Sequence, residues 1–331
     1  MVDISIIVIS YNHEKYISET LESLLRQNTQ YKMEILIGDD CSKDNTLKII
    51  KEYEKKFPDK IKNIERPQNL GATGNLYDLI LRAKGRYIAF CEGDDYWSND
   101  NRLQYEIDFL EKNEDFYGIC GKTQPVDENG VEIPIEKIAK EKRFWLFDRD
   151  EYTLEDFRKW LMPGHFSALT IRNIGISHRD DCKLIKEAHA MVGDRTIALL
   201  AALHGRIKCY GDISSFYRFR LTENNFMSKM ENNNLRLDDF NMIVKMEEYV
   251  CNNYIRDFSL ENMKLERLIG ATVVNLKNKN ETNKEVLKSI INTSGKKLKY
   301  SCYVIYIVAV KLFYWKILKK DKRIEIGEGK R

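Results

Sequence analysis

Two acidic doublets, Asp39-Asp40 and Asp94-Asp95, each stand at the end of a short apolar run, and Glu92 precedes the second. Closely spaced carboxylates suit a hard cation, Mg2+ or Mn2+, that takes oxygen ligands and shares them with phosphates. A diphosphate beside these carboxylates would be repelled without a cation between them, so the metal follows from charge. The other reading of Asp94-Asp95, with Tyr96-Trp97 behind, is a surface acidic turn. Asp39-Asp40, backed by Ser42, Asp44 and Thr46, places acceptors for ribose hydroxyls or a base N–H. Its other reading is a solvated turn with Asp44 capping a helix. His165, after Pro163-Gly164, is a contact for acceptor or phosphate, or a local hydrogen-bonding residue. Arg218 offers a planar fork for a departing phosphate, or pairs with a carboxylate in the second unit.

The elements that must hold these groups alternate. Ile4 to Ile9 is a β-branched run ending at Ser10-Tyr11-Asn12, and Glu34 to Gly38 is another ending at Asp39-Asp40. A third, Tyr87 to Cys91, ends at Glu92. Helical spacing follows each of the first two: Ile17, Leu21, Leu24 and Leu25 with Asn12 as cap, then Leu47, Ile49, Ile50 and Tyr53. A third helix carries Leu76, Leu79, Ile80 and Ala83 inward and closes at Gly85 in a left-handed cap. This alternation predicts an α/β fold, an open, mainly parallel sheet with helices on both faces, whose ligands lie beyond the carboxyl ends of the strands. Residues 126–150 read as a boundary or a mobile excursion. Thr196 to Leu203 reads as a helix introduced by Gly193-Asp194 and ended by Gly205, with strand-like Phe216 to Phe219 after it. Residues 235 to about 298 read as a helical C-terminal tail.

Composition narrows the class. Of 331 residues, 43% are hydrophobic, 32% charged and 5 are proline, the profile of a folded globular chain with little linker. A net charge of +3 does not argue for a nucleic-acid binder. Seven scattered cysteines lack zinc or disulfide spacing and suit a reducing compartment. The segment after Met1 has neither the basic stretch nor the cleavage chemistry of a secretory signal, so the expected location is cytoplasmic.

Ser10-Tyr11-Asn12, Asp39 to Thr46, Asn69-Leu70-Gly71 and Glu92-Gly93-Asp94-Asp95-Tyr96-Trp97 occur in that order. Together they resemble the family 2 glycosyltransferases of GT-A fold, over residues 1–115 and, through His165-Phe166-Ser167, Gly193-Asp194 and Tyr217-Arg218, over 160–225. The resemblance implies inverting transfer of a sugar from a nucleoside diphosphate carrier, UDP above all, to a glycan or lipid-linked acceptor in surface polysaccharide synthesis. It implies that Asp39 and Asp40 contact base or ribose and that Tyr11 packs on the base. Ser10, Gly71 and Asn75 join the substrate-binding set, and Asp95 with Asp94 forms the metal and sugar-nucleotide motif. Many relatives have aspartate where Glu92 stands, which puts Glu92 outside the expected ligands. The reaction needs a carboxylate to take the proton of the incoming hydroxyl. Asp194 matches the family's acidic residue before a helix; taken alone, it reads as an N-cap.

The expected parts are 1–118, the nucleotide-sugar half; 119–234, the acceptor half; and 235–331, helical. Residues 302–310 are apolar and the run continues to Leu318 with Lys311 and Lys316 inside it. Lysines flank it on both sides, so 300–320 reads as an interfacial membrane segment, or as a buried core or oligomer helix. Two other functions stay open: a nucleotidyltransferase making the sugar nucleotide, for which no glycine-rich basic phosphate loop is present, and a non-catalytic sugar-nucleotide-binding subunit.

Overall fold

The β-branched runs near residues 4 and 34 lie side by side as parallel strands in the computed structural model, which describes residues 2–138, 143, 145–219, 233–277, 281–294 and 296–309. β1 (Ile4–Ser10), α1 (Ile17–Leu25), β2 (Met33–Asp39), α2 (Thr46–Lys56), β3 (Ile61–Asn63), α3 (Ala72–Arg82) and β4 (Tyr87–Glu92) build the first half of the sheet. Then come β5 (Tyr96–Trp97), α4 (Arg102–Lys112), β6 (Phe116–Val126), β7 (Glu151–Tyr152), α5 (Leu154–Arg158) and β8 (Leu169–Arg172). α6 (Ile174–Ser177), α7 (Lys183–Ala188), α8 (Asp194–His204) and β9 (Arg206–Arg218) complete it.

Strand order is β3-β2-β1-β4-β8-β6-β9-β5, with β7 on β9. The expected parallel arrangement holds for β3, β2, β1 and β4. Beyond them the sheet is mixed, because β8 runs antiparallel to both β4 and β6, and β9 is parallel to β6 but antiparallel to β5 and β7. β5 and β7 span two residues each and β8 four, too short to show a period in sequence. Alternation along the strands separates two faces. Ile4, Ile6, Val8, Ile35, Ile37, Ala89 and Cys91 share a core with Ile17, Leu21 and Leu24 of α1, Ile50 of α2 and Leu103, Ile107 and Leu110 of α4. α3 packs on β1, β2, α6 and α7. The chain enters the sheet at β1, moves out to β2 and β3, and returns on the other side as β4, so β1 and β4 flank a switch point where loops part and ligands fit.

Two local expectations are corrected. α1 begins at Ile17 after a turn and its N-cap is Tyr16; Asn12 instead takes φ +57° and its Oδ1 accepts the Lys43 N–H at 2.8 Å. α3 ends in an extended Ala83, and Gly85 is not left-handed. A Cβ at Gly85 would lie 2.4 Å from the Ser5 nitrogen, so the missing side chain lets the chain run against β1. The described part of 126–150 is more than an excursion: Ile133, Ile138 and Trp145 bury themselves with Phe219.

The chain divides into two compact units, residues 1–223 and 224–331. The second holds α9 (Asn233–Asn253), α10 (Glu261–Lys277), α11 (Glu281–Thr293) and a helical stretch over 297–309, closed on a core of Phe240, Leu268, Ala271, Ile290 and Tyr300. Among the described residues no helix is long and apolar enough to cross a membrane. The part of the expected membrane segment from 310 to 320 lies outside the described residues.

Candidate active site

The loops after β1 and β2 are built as one piece. Asn12 and Cys41 both take left-handed backbone, at φ +57° and +63°, a conformation non-glycine residues hold only when their surroundings compensate. The compensation is reciprocal. Ser42 Oγ accepts the Asn12 N–H at 2.9 Å, Thr46 Oγ1 accepts the His13 N–H at 2.8 Å, and Asp44 Oδ2 accepts the Glu14 N–H at 3.1 Å. Asp44 also accepts the Thr46 N–H at 3.0 Å at the start of α2. Burial opposes ionising Asp44, but hydrogen bonds from Thr46 outweigh it and lower its pKa. Asp39 and Asp40 are both buried. Asp39 accepts from the Ser42 hydroxyl and backbone, and Asp40 Oδ1 accepts the Leu70 N–H at 2.7 Å. Gly71, at φ +75°, turns the chain into α3, with its N–H on Asn69 Oδ1.

Not every expected contact faces outward. Asn75 is 1% exposed; it donates to the Gly38 carbonyl at 2.7 Å and accepts from Arg66 at 2.8 Å. It ties α3 to the end of β2. Tyr11, by contrast, is 41% exposed at the rim of the β1 loop. Ser10 is buried, with its Oγ 3.4 Å from His13 Nδ1.

The loop after β4 sends its carboxylates in different directions. Asp94 Oδ2 lies 3.6 Å from His13 Nε2. At Gly93 a Cβ would meet His13 Nδ1 at 2.7 Å and Ser10 Oγ at 2.8 Å, so a side chain there would force the β1 loop to shift. Asp95 is 1% exposed and turns inward: its Oδ2 accepts the Ser167 hydroxyl at 2.6 Å and its Oδ1 accepts the Arg218 N–H at 3.1 Å. His165 Nδ1 is 3.4 Å from Asp95 Oδ2, and His165 Nε2 is 3.7 Å from Glu92 Oε2. Ligand atoms of Glu92, Asp95 and His165 all lie within 4.8 Å of one another. Two carboxylates and an imidazole make a donor set that fits a divalent cation, and the imidazole suits Mn2+ better than Mg2+.

The electrostatics point the same way. Burial raises the Glu92 pKa well above its ordinary value, and the charges of Asp95, Asp94 and Asp194 add to it. Asp95 is raised as well, by burial and then by Asp94, against the opposing hydrogen bonds of Ser167 and Arg218. Burial pushes His165 down to about 4, so its ring is neutral at pH 7 and able to ligate. Carboxylates gathered this closely are stabilised as anions by a cation among them.

Asp194, from far along the chain, is near enough for its charge to act on this cluster. It is the first residue of α8, behind an N-cap at Gly193, and its Oδ1 accepts the adjacent Arg195 N–H at 2.8 Å. Its charge acts on both Glu92 and Tyr217. Arg218 is occupied: Nη1 donates to the Asp94 carbonyl at 2.6 Å, Nη2 pairs with Glu19, and the guanidinium lies 4.7 Å over Tyr16 and 4.9 Å over Tyr96. Of its two expected roles it takes the carboxylate pair, but the partner, Glu19, is on α1 in the nucleotide-sugar half rather than in the acceptor half.

Three groups at the site have no role assigned from the sequence, although Ser167 and Tyr217 stand in stretches that carry the family resemblance. Tyr217 stacks on His165 at 4.2 Å, Ser167 bonds Asp95, and below them a fully buried Arg102–Glu106 pair closes at 2.8 Å. The Arg102-to-Glu106 spacing on a helix was the one available sign, but such pairs are ordinarily solvated.

The family model for glycosyl transferase family 2 matches residues 5–176. The poly(ribitol-phosphate) beta-N-acetylglucosaminyltransferase TarS of Staphylococcus aureus strain Mu50 is 39% identical over 115 residues, 34% of this chain and 20% of TarS. An uncharacterised protein of Mycobacterium tuberculosis H37Rv is 40% identical over 109 residues, 33% of this chain and 32% of that protein. An uncharacterised glycosyltransferase of Methanocaldococcus jannaschii is 28% identical over 165 residues, 50% of this chain and 52% of that one. The matches therefore span only about a fifth to a half of these relatives' lengths. The crystal structure of S. aureus TarS 1-349 in complex with UDP has the same fold, with a TM-score of 0.62 at 20% identity over 98% of this chain and 92% of that one. Since the family match runs from β1 into α6, through the acidic loops and His165 though short of Asp194 and Arg218, the chain belongs to glycosyl transferase family 2.

Proposed function

We propose that the chain is an inverting glycosyltransferase that moves a sugar from a UDP-sugar to an acceptor hydroxyl. The observation that carries this reading is the convergence of Glu92, Asp95 and His165 at the end of β4, with ligand atoms within 4.8 Å of one another, among loops that lie inside the family match. The joined loops after β1 and β2 hold the nucleoside, with Asp39 and Asp40 toward ribose and base and Tyr11 against the base. Ser10 and Gly71 border that cleft, while Asn75 and Arg218 keep its walls in place. Glu92, Asp95 and His165 would hold Mn2+ or Mg2+, with Asp94 beside them, and the cation would supply positive charge for the leaving diphosphate. Asp194 takes the proton from the acceptor hydroxyl as its oxygen forms the new bond to the anomeric carbon. The bond to the diphosphate breaks on the opposite side, which inverts that carbon.

TarS and its UDP and UDP-GlcNAc complexes support UDP as carrier and a cell-surface polysaccharide as the destination. The proposed location is cytoplasmic, with peripheral contact at the inner face of the cell membrane. Leu298, Ile305 and Tyr306 are exposed on the helical stretch beside Lys296, Lys297 and Lys299, apolar and cationic groups that suit an anionic surface. Removal of residues 300–331 that left membrane recovery unchanged would dismiss that contact.

The test of the transferase reading is calorimetric titration of UDP, GDP and CDP with and without Mn2+, on wild type and Asp95→Ala. Mn2+-dependent UDP binding that the substitution abolishes is expected; no nucleotide binding at all would overturn the reading.

A further inference from the structure

Glu92, Asp95 and His165 come from two separate stretches of chain, and one residue, Ser167, bonds to all three. Ser167 is 0% exposed. Its hydroxyl donates to Asp95 Oδ2 at 2.6 Å, and its Oγ accepts the Glu92 N–H at 3.0 Å. Its own N–H points to His165 Nδ1 at 3.3 Å. Ser167 is itself anchored from beneath: its carbonyl accepts the Trp97 indole N–H at 2.9 Å and an Arg102 N–H at 2.7 Å. Arg102 in turn is locked to Glu106, which accepts from Thr170 at 2.6 Å and Tyr210 at 2.7 Å. The chain of bonds therefore runs from a dry ion pair under the sheet, through one serine, to the Asp95 carboxylate, the Glu92 backbone and the His165 imidazole.

We infer that Ser167 is a positioning residue that sets the geometry of the cation donors and so the affinity of the site for its metal. The inference rests on the cation reading above. A serine suits the task because one hydroxyl both donates and accepts, so it orients Asp95 and restrains the Glu92 backbone together. Alanine keeps the size of the buried core nearly unchanged and removes both bonds.

The experiment is titration of Mn2+ into wild type and Ser167→Ala in the presence of UDP, with metal-free binding of uridine, which carries no diphosphate, measured alongside. Loss of the oxygen that orients metal ligands weakens binding by about 10- to 100-fold. The expected result is that loss in Mn2+ affinity with uridine binding unchanged. A purely structural role would instead weaken uridine binding to the same degree, and that result overturns the inference. Mn2+ affinity equal to wild type also overturns it while leaving the cation reading intact. Wild type that binds no Mn2+ refutes the cation reading itself, and the role of Ser167 with it.

Discussion

Replacing Arg102 with methionine removes a charge whose side chain, like that of its partner Glu106, is 0% exposed. The guanidinium makes a 2.8 Å bond to Glu106, donates to the Ser167 carbonyl at 2.7 Å, and lies 4.2 Å over the Trp97 ring. Removing one partner of a buried pair costs about 3–5 kcal/mol, since the other charge stays buried without its counter-ion. A desolvated cation over an aromatic face contributes about 0.5–2 kcal/mol more. The Thr170 and Tyr210 hydroxyls remain on Glu106 and offset part of this, so a net loss of about 3–5 kcal/mol is expected. Adding Glu106→Gln removes the stranded charge while keeping an acceptor oxygen for those hydroxyls. The double variant should therefore recover roughly half of the loss or more. Urea unfolding followed by tryptophan fluorescence reads both, because Trp97 sits directly beneath the guanidinium. An Arg102→Met cost under about 1 kcal/mol, or a double variant no more stable than the single one, would refute the reasoning.

Asp194→Asn keeps the shape of the side chain and its acceptor oxygen but cannot take a proton. Transfer to acceptor should fall about 10²- to 10⁴-fold with UDP affinity retained, and a turnover assay showing wild-type rate would remove Asp194 from the base role. In the helical unit, burial opposes charging Glu261, but hydrogen bonds from Lys299 and Lys296 hold its carboxyl down to about 2. A depressed folded pKa contributes stability above the unfolded value and loses it as pH falls toward the folded one. With both lysines half exposed, the screened contribution is about 1–2 kcal/mol. The stability advantage of wild type over Glu261→Gln, followed by circular dichroism, should be full at pH 6, shrink below pH 4.5 and vanish near pH 2; an advantage flat across that range would contradict this.

The sequence by itself determined the half of the fold in which strand and helix follow each other in order. Runs such as Ile4 to Ile9 and Tyr87 to Cys91 are mostly apolar because both faces of a parallel strand are covered, and the acidic loops at their ends are contiguous in the chain. Local capping was less legible: Asn12 looks like a cap, but its backbone turns left-handed to meet the β2 loop, a contact set by sheet order. Only tertiary structure decided the second half of the sheet, where two- and four-residue strands depend on their neighbours. It also decided which carboxylates converge. Nothing in the residues around position 167 announces that a serine will join Glu92, Asp95 and His165, because that role arises from the antiparallel approach of β8 to β4. Likewise, an arginine and a glutamate four apart on a helix are ordinarily solvated, and Arg102 and Glu106 are dry only because α4 lies against the sheet. Patterns in sequence report what local geometry and one-dimensional burial require; side chains brought together by strand pairing are selected by distance in space, which the chain order does not encode.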